Sequence, residues 1–183
     1  MSQMLDQNAG DRDGDTVRSA VWGNRDAFET LLRRRHAALR RFAYRMVGDD
    51  ADDALQEAYV AAYRGIGQFQ PETEASFSNW LYRLVYTASI DVLRRRKRAA
   101  ARVRALMERP QPAAWTELTS QQADLIDALT DLEPDLRAAV LLVDAHGVGY
   151  RETAGILGIS EGTLASRLHR ARGRVRAALE GEG

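Results

Sequence analysis

Apolar residues recur at three- and four-residue intervals along most of the chain and nowhere alternate as a half-buried strand requires, so the predicted elements are helices. Phe28, Leu31, Leu32, Leu39, Phe42, Ala43 and Met46 share a stripe that follows Gly23-Asn24 and stops at Gly48. A second pattern, 50–66, puts Ala51, Leu55, Ala58, Tyr59 and Ala62 on one face. Its first turn carries Asp50, Asp52 and Asp53, which suit the positive end of a helix dipole. A loop with glycine and proline is predicted over 65–76. A third helix follows over 78–98, with Trp80, Leu81, Leu84, Val85, Ala88 and Leu93 apolar and an Arg-Arg-Arg-Lys-Arg end.

The pattern degrades over 99–120, where Pro110 and Pro112 mark a linker. It resumes over 123–129 and 134–145, with Pro134 suited to a first helical turn. The predicted architecture is all-α, with two small helical domains joined by a flexible linker and the second ending in a helix-turn-helix. The tail is 1–22, its first 15 or so residues polar and expected to be disordered. The first domain is 23–98, the linker 99–121 and the second domain 122–183.

The helix-turn-helix is predicted over 147–176. Gly158 supplies the bend and the Ser160 hydroxyl caps the next helix. Leu164, Leu168, Ala171, Val175 and Leu179 then hold one side of that helix, turning Ser166, Arg167, His169, Arg170 and Arg174 to other faces. An arginine face can simply be solvated. No acidic residue lies between Gly162 and Leu179, however, so the Glu-to-Arg pairs of a merely solubilised helix are missing, which favours DNA as the partner.

At 183 residues and 45% hydrophobic content, the chain can hold one ordinary or two small cores. Its formal net charge of zero looks wrong for a DNA binder. The charges are segregated: acids gather in 1–15, 49–57 and 117–135, bases in 33–45, 94–109 and 167–176. A ligand feels the field within about 8–10 Å, so these patches matter more than the total. The absence of cysteine excludes disulfides, thiolate metal sites and a cysteine nucleophile. His36, His146 and His169 lack metal-ligand spacing, and no paired base or nucleophile set stands out, so neither catalytic residues, nor a metal, nor a cofactor is expected. With no signal-like start and no membrane-length apolar run, a cytoplasmic protein without membrane insertion is expected.

Four stretches taken together resemble the extracytoplasmic-function group of the sigma-70 family, RNA polymerase subunits built only from the second and fourth conserved sigma regions. They are Asp-Asp-Ala-Asp-Asp-Ala-Leu-Gln-Glu-Ala-Tyr (49–59), Phe-Ser-Asn-Trp-Leu-Tyr-Arg-Leu (77–84), Ile-Asp-Val-Leu-Arg-Arg-Arg-Lys-Arg (90–98) and Gly-Thr-Leu-Ala-Ser-Arg-Leu-His-Arg-Ala-Arg (162–172). Their order and spacing make the resemblance specific, and it covers about 23–98 and 122–179.

The resemblance implies that Asp50, Asp53, Leu55, Gln56 and Glu57 face the clamp helices of the polymerase β′ subunit, a role for which an acidic surface is suited. A dipole-stabilised helix start explains the same aspartates. It implies −10 promoter contacts from Phe69, Gln70, Trp80, Arg83, Tyr86, Thr87, Arg94 and Arg95, in which single-stranded bases are captured and stacked. Trp80 and Phe77 also fall at core spacing with Leu81 and Leu84, and the arginine tract also suits a solvated helix end. For the −35 duplex, the implied contacts are Ala165, Ser166, His169 and Arg170 at bases, with Arg167, Arg172 and Arg174 at phosphates or in packing. Tyr86-Thr87 stands where many members carry Arg-Asn, and Ala165 where Lys or Arg is common. The implied partners are core RNA polymerase through the β′ clamp helices and β flap, promoter DNA, and an anti-sigma factor.

The competing reading is a helix-turn-helix transcription regulator whose first domain senses or dimerises. An acidic docking helix followed by an aromatic, arginine-ended helix over 49–98 is expected only of the sigma factor.

Overall fold

The computed structural model describes the backbone over residues 14–70, 74–104 and 120–180, and side chains over 14–70, 77–100 and 125–179. Among these residues the regular elements are all helical. Helix α1 covers 14–21, inside the stretch expected to be tail. It is held because Val17 and Ala20 are each 1% exposed in the core. Gly23, at φ 94°, turns the chain, and the Asn24 side chain accepts from the Ala27 N–H to start α2 (Arg25–Val47).

Helix α2 ends at Gly48 (φ 68°), and a short 3₁₀ turn leads into α3 (Ala51–Gly65). A second such turn, Ile66–Gln68, precedes α4 (Glu74–Arg104), which runs several residues past the predicted end at both termini. Helices α2, α3 and α4 pack on one another around Leu31, Leu39, Phe42, Met46, Ala54, Ala58, Phe77, Leu81 and Val85, all buried. Small alanines at 54, 58 and 62 on α3 let the three helices approach closely.

The second domain consists of α5 (Ser120–Thr130), α6 (Pro134–Val140), a π-type turn (Leu141–Ala145), α7 (Tyr150–Leu157) and α8 (Glu161–Glu180). Leu136, Leu141, Leu142, Ile156, Leu164, Leu168 and Ala171 form its core.

The two domains touch. Helix α7 lies on α4, and α2 meets α5, α6 and the π-type turn. The Tyr82 hydroxyl and His146 Nδ1 are 2.9 Å apart, with both rings edge-on to Phe42. Arg137, only 8% exposed, donates to the carbonyls of Leu129 (2.9 Å), Thr130, Leu132 (3.1 Å) and, across the interface, Met46 (2.7 Å). A buried cation that hydrogen-bonds only to carbonyls is tolerable here because the ends of two helices, α2 and α5, converge on it.

Candidate nucleic-acid interface

Helix α7 closes in the manner its sequence predicts. Gly158 adopts φ 67°, ψ 36°, the Ile159 N–H reaches back to the Ala154 carbonyl at 3.0 Å, and Gly158 N–H to Gly155. Two residues on, the Ser160 hydroxyl accepts from the Thr163 N–H at 3.1 Å and caps α8. That turn fixes the angle at which α8 leaves. Leu164, Leu168 and Ala171 are then wholly buried, so Ala165, Ser166, His169 and Arg170 are left exposed on the opposite side.

The expected phosphate arginines divide by their partners. Arg172 is clamped by both carboxylate oxygens of Asp144 (2.6 and 3.0 Å) and lies 3.4 Å from the Tyr150 hydroxyl, contacts that raise its guanidinium pKa further. It ties α8 to the π-type turn and to the start of α7. Arg167, its side chain only 20% exposed, pairs with Asp135 at 3.1 Å, and Arg174 lies 3.7 Å from Glu133. Among the described residues, Arg170 and His169 have no hydrogen-bond or ion-pair partner, so their donors are available.

In the first domain the 65–70 turn and α4 come together. Phe69 and Trp80 have ring centroids 5.0 Å apart, and Phe77 completes the cluster at 5.6 and 5.7 Å. Phe77 is wholly buried and is core, whereas Trp80 and Phe69 are half-buried and keep an accessible portion. Gly65 lets the turn approach, since a Cβ there would sit 3.3 Å from the Trp80 indole. Exposed Gln70 flanks the cluster. Arg83, Thr87 and Arg94 continue the Trp80 side of α4 and are exposed. The Thr87 hydroxyl donates to the Arg83 carbonyl at 2.9 Å, and Arg94 is 3.3 Å from Asp91.

Tyr86 looks elsewhere. Its hydroxyl donates to Asp135 of the second domain at 3.0 Å, and its pKa is pushed up to about 12 by burial and by that carboxylate. Arg95 is likewise engaged, by both oxygens of Glu57 at 2.7 and 3.3 Å.

On α3, Asp53, Gln56 and Glu57 are exposed, while Asp50 lies 3.4 Å from Arg96. Leu55, expected on the polymerase-facing surface, is instead 2% exposed. The α2 packing claims it, because it shares the Ala51–Ala58–Ala62 stripe. It forms the floor of an open groove walled by Phe28, Leu32, Tyr59, Val60 and Tyr63. Val60 and Tyr63 are 44% and 50% exposed and were not anticipated. The available signal was their apolar character on the polar face of α3. A second apolar groove, about 770 Å³, is lined by Leu125, Leu129, Val140, Leu141, Val175 and Leu179, with Arg45 and Arg176 at its edge.

Both halves of the chain match known proteins. Residues 31–99 match the family described as Sigma-70 region 2, and residues 122–175 match Sigma-70, region 4. The chain is 40% identical to the ECF RNA polymerase sigma factor SigM of Mycobacterium tuberculosis (strain ATCC 25618 / H37Rv), over 89% of this chain and 82% of that one. It is 34% identical to RNA polymerase sigma factor CarQ of Myxococcus xanthus, over 86% and 91%. Among solved structures it is similar to the sigma factor RpoE in complex with the anti-sigma factor NepR from Bartonella quintana (28% identity, TM-score 0.69, covering 84% of this chain and 96% of that one). It is also similar to CnrH in complex with the cytosolic domain of CnrY (27%, TM-score 0.72, covering 93% and 99%). The chain belongs to the extracytoplasmic-function group of the sigma-70 family. Its function is that of a sigma factor in promoter-specific transcription initiation, and the match over 31–99 disfavours a helix-turn-helix regulator with a sensing domain. No helix among the described residues is long and apolar enough to cross a membrane.

Proposed function

We propose that this sigma factor divides its work among three surfaces. Asp53, Gln56 and Glu57 of α3, with Asp50 beside them and the Val60–Tyr63 groove adjoining, dock on the β′ clamp helices of core RNA polymerase. The acidic rim steers the encounter and the apolar groove supplies the buried area. Phe69, Gln70, Trp80, Arg83, Thr87 and Arg94, joined by Tyr86 and Arg95 once released from their acidic partners, hold the melted −10 strand. Stacking on aromatic side chains there is worth about 1–3 kcal/mol per base.

The α8 surface reads the −35 duplex, with Ser166, His169 and Arg170 at base edges, Ala165 in close apolar contact, and Arg167 and Arg174 at phosphates. Arg172 serves mainly to brace α8 on Asp144. The second groove, Leu125 to Leu179, takes the polymerase β flap. The chain acts in the cytoplasm beside polymerase and is held in check by an anti-sigma factor that covers these same surfaces.

The observation that carries this reading is Arg170 and His169, exposed and without a hydrogen-bond or ion-pair partner among the described residues, on a capped helix whose opposite side is buried at Leu164, Leu168 and Ala171. The experiment is transcription in vitro with core polymerase and a genomic fragment library, sequencing the start sites that require this chain. A shared −35 and −10 pattern upstream of those sites is expected, and start sites without any common element would overturn the reading. Gln56→Ala with Glu57→Ala should weaken capture of core polymerase, and full retention would count against the docking face.

A further inference from the structure

The chain carries 25 arginines and one lysine, and that lysine, Lys97, lies inside the basic end of α4. The arginines around it are already bound. Arg94 is 3.3 Å from Asp91, and Arg95 is held by both oxygens of Glu57. Arg96 donates to the Val47 carbonyl at 3.0 Å and lies 3.4 Å from Asp50, and Arg98 donates to the Arg94 carbonyl at 3.3 Å. Lys97 is exposed and has no hydrogen-bond or ion-pair partner among the described residues. Its helical neighbours one turn away, Leu93, Arg94, Ala100 and Ala101, offer it no carboxylate.

Position gives this free charge a ligand. Arg83, Thr87, Ile90, Arg94 and Lys97 recur at three- and four-residue intervals and form one stripe of α4, which starts beside Trp80. Lys97 stands about 21 Å beyond Arg83 along the axis, at about 1.5 Å per residue. A compact ammonium with three donors binds a phosphate oxygen as a point charge and needs no planar partner, so it suits the backbone of the strand whose bases are held near Trp80.

We propose that Lys97 is the free phosphate contact at the basic end of α4, and that acylation of its amine turns this contact off. The inference rests on the promoter reading for the identity of the phosphate, while acylation of the amine can be tested without it. The donor is an activated acyl group, an acyl phosphate. The unprotonated Lys97 Nζ attacks the donor's carbonyl carbon and the N–C bond forms. The C–O bond to phosphate breaks, phosphate departs with that electron pair, and the nitrogen gives its proton to water. A cation becomes a neutral amide. The guanidinium groups are delocalised and stay protonated, so among cationic side chains only Lys97 changes. One phosphate contact releases about 0.9 of a counterion from duplex DNA, so its loss at about 0.1 M salt weakens binding about eightfold.

Treating the free full-length chain with acetyl phosphate should acetylate Lys97, as read by mass spectrometry of its peptides. Holoenzyme assembled from treated chain should bind a forked duplex about eightfold more weakly at about 0.1 M salt, and its log–log salt slope should fall by about 1. In Lys97→Arg, which keeps a cation but has no side-chain amine, treated and untreated chain should bind alike. Capture of core polymerase should be the same before and after treatment. An unacetylated Lys97, a slope unchanged by acetylation, an equal loss in Lys97→Arg, or a loss of core capture that accounts for the weaker binding would overturn the proposal. A chain that drives no transcription from any fragment yet shows the Lys97-dependent loss would sink the promoter reading and leave the phosphate contact standing.

Discussion

The Arg137 guanidinium donates to the Met46 carbonyl at 2.7 Å, joining residues 91 positions apart and fastening the start of the second domain to the last turn of α2. The same side chain satisfies carbonyls of Leu129, Thr130 and Leu132, so one cation closes α5, orients α6 and bridges the domains. Burial pushes its pKa below the ordinary arginine value, partly opposed by Asp131.

Arg137→Gln keeps part of the stem but cannot reach four carbonyls. It should destabilise the chain by about 2–4 kcal/mol, as expected for lost charge-assisted bonds to buried acceptors. Urea unfolding measures this. A loss below about 0.5 kcal/mol would show that water replaces the guanidinium freely.

His146 sits against Phe42 and Tyr82 with its Nε2 unpartnered among the described residues. Its pKa is lowered from 6.5 to about 4, first by burial and then by Arg45 and Arg41. Between those values the unfolded chain takes up a proton that the folded chain refuses. Stability should therefore fall as pH drops from 6.5 toward about 4, by something on the order of 1 kcal/mol after allowing for partial exposure. Thermal unfolding of His146→Gln, which retains an acceptor for Tyr82 and cannot be protonated, should show a shallower decline over this window. An identical slope in both proteins would remove His146 from the account.

Gly158 and Gly155 make opposite predictions from neighbouring positions. Gly158 is left-handed at φ 67° with open space where a Cβ would project, so Gly158→Ala should cost about 1–2 kcal/mol through backbone strain alone. Gly155 lies inside α7, also facing open space, and Gly155→Ala should stabilise by about 0.4–1 kcal/mol. Melting temperatures moving in the same direction would contradict the turn geometry.

Arginines on α8 should separate by their partners. Arg170→Ala should cost about 1–3 kcal/mol on the cognate −35 duplex and relax preference at one base pair. Arg174→Ala should weaken binding to cognate and scrambled duplexes alike. Arg172→Ala, by breaking the Asp144 clamp, should lower the melting temperature as well. Equal losses on both duplexes for Arg170→Ala would remove it from base reading.

The helices, the capped turn at Gly158-Ile159-Ser160 and the buried side of α8 were legible in the sequence because each depends on neighbours within a turn or two. Apolar spacing, a glycine free to take positive φ and a hydroxyl three residues before an N–H are local properties. Leu55 shows where such reasoning stops: its motif suggested a surface, and packing against α2 made it the floor of a groove. Helix α1 is similar, since a polar tail with two well-placed small apolar residues acquires structure only when a core exists to receive Val17 and Ala20.

Two helical domains and a DNA-reading turn follow from the order of residues alone, because periodicity and capping are written position by position. Which charges are already paired follows from the packed fold: Glu57 with Arg95, Tyr86 with Asp135, Arg172 with Asp144. Those partners lie 38, 49 and 28 positions apart, and what brings them together is the angle and register at which helices pack, which no periodic pattern encodes.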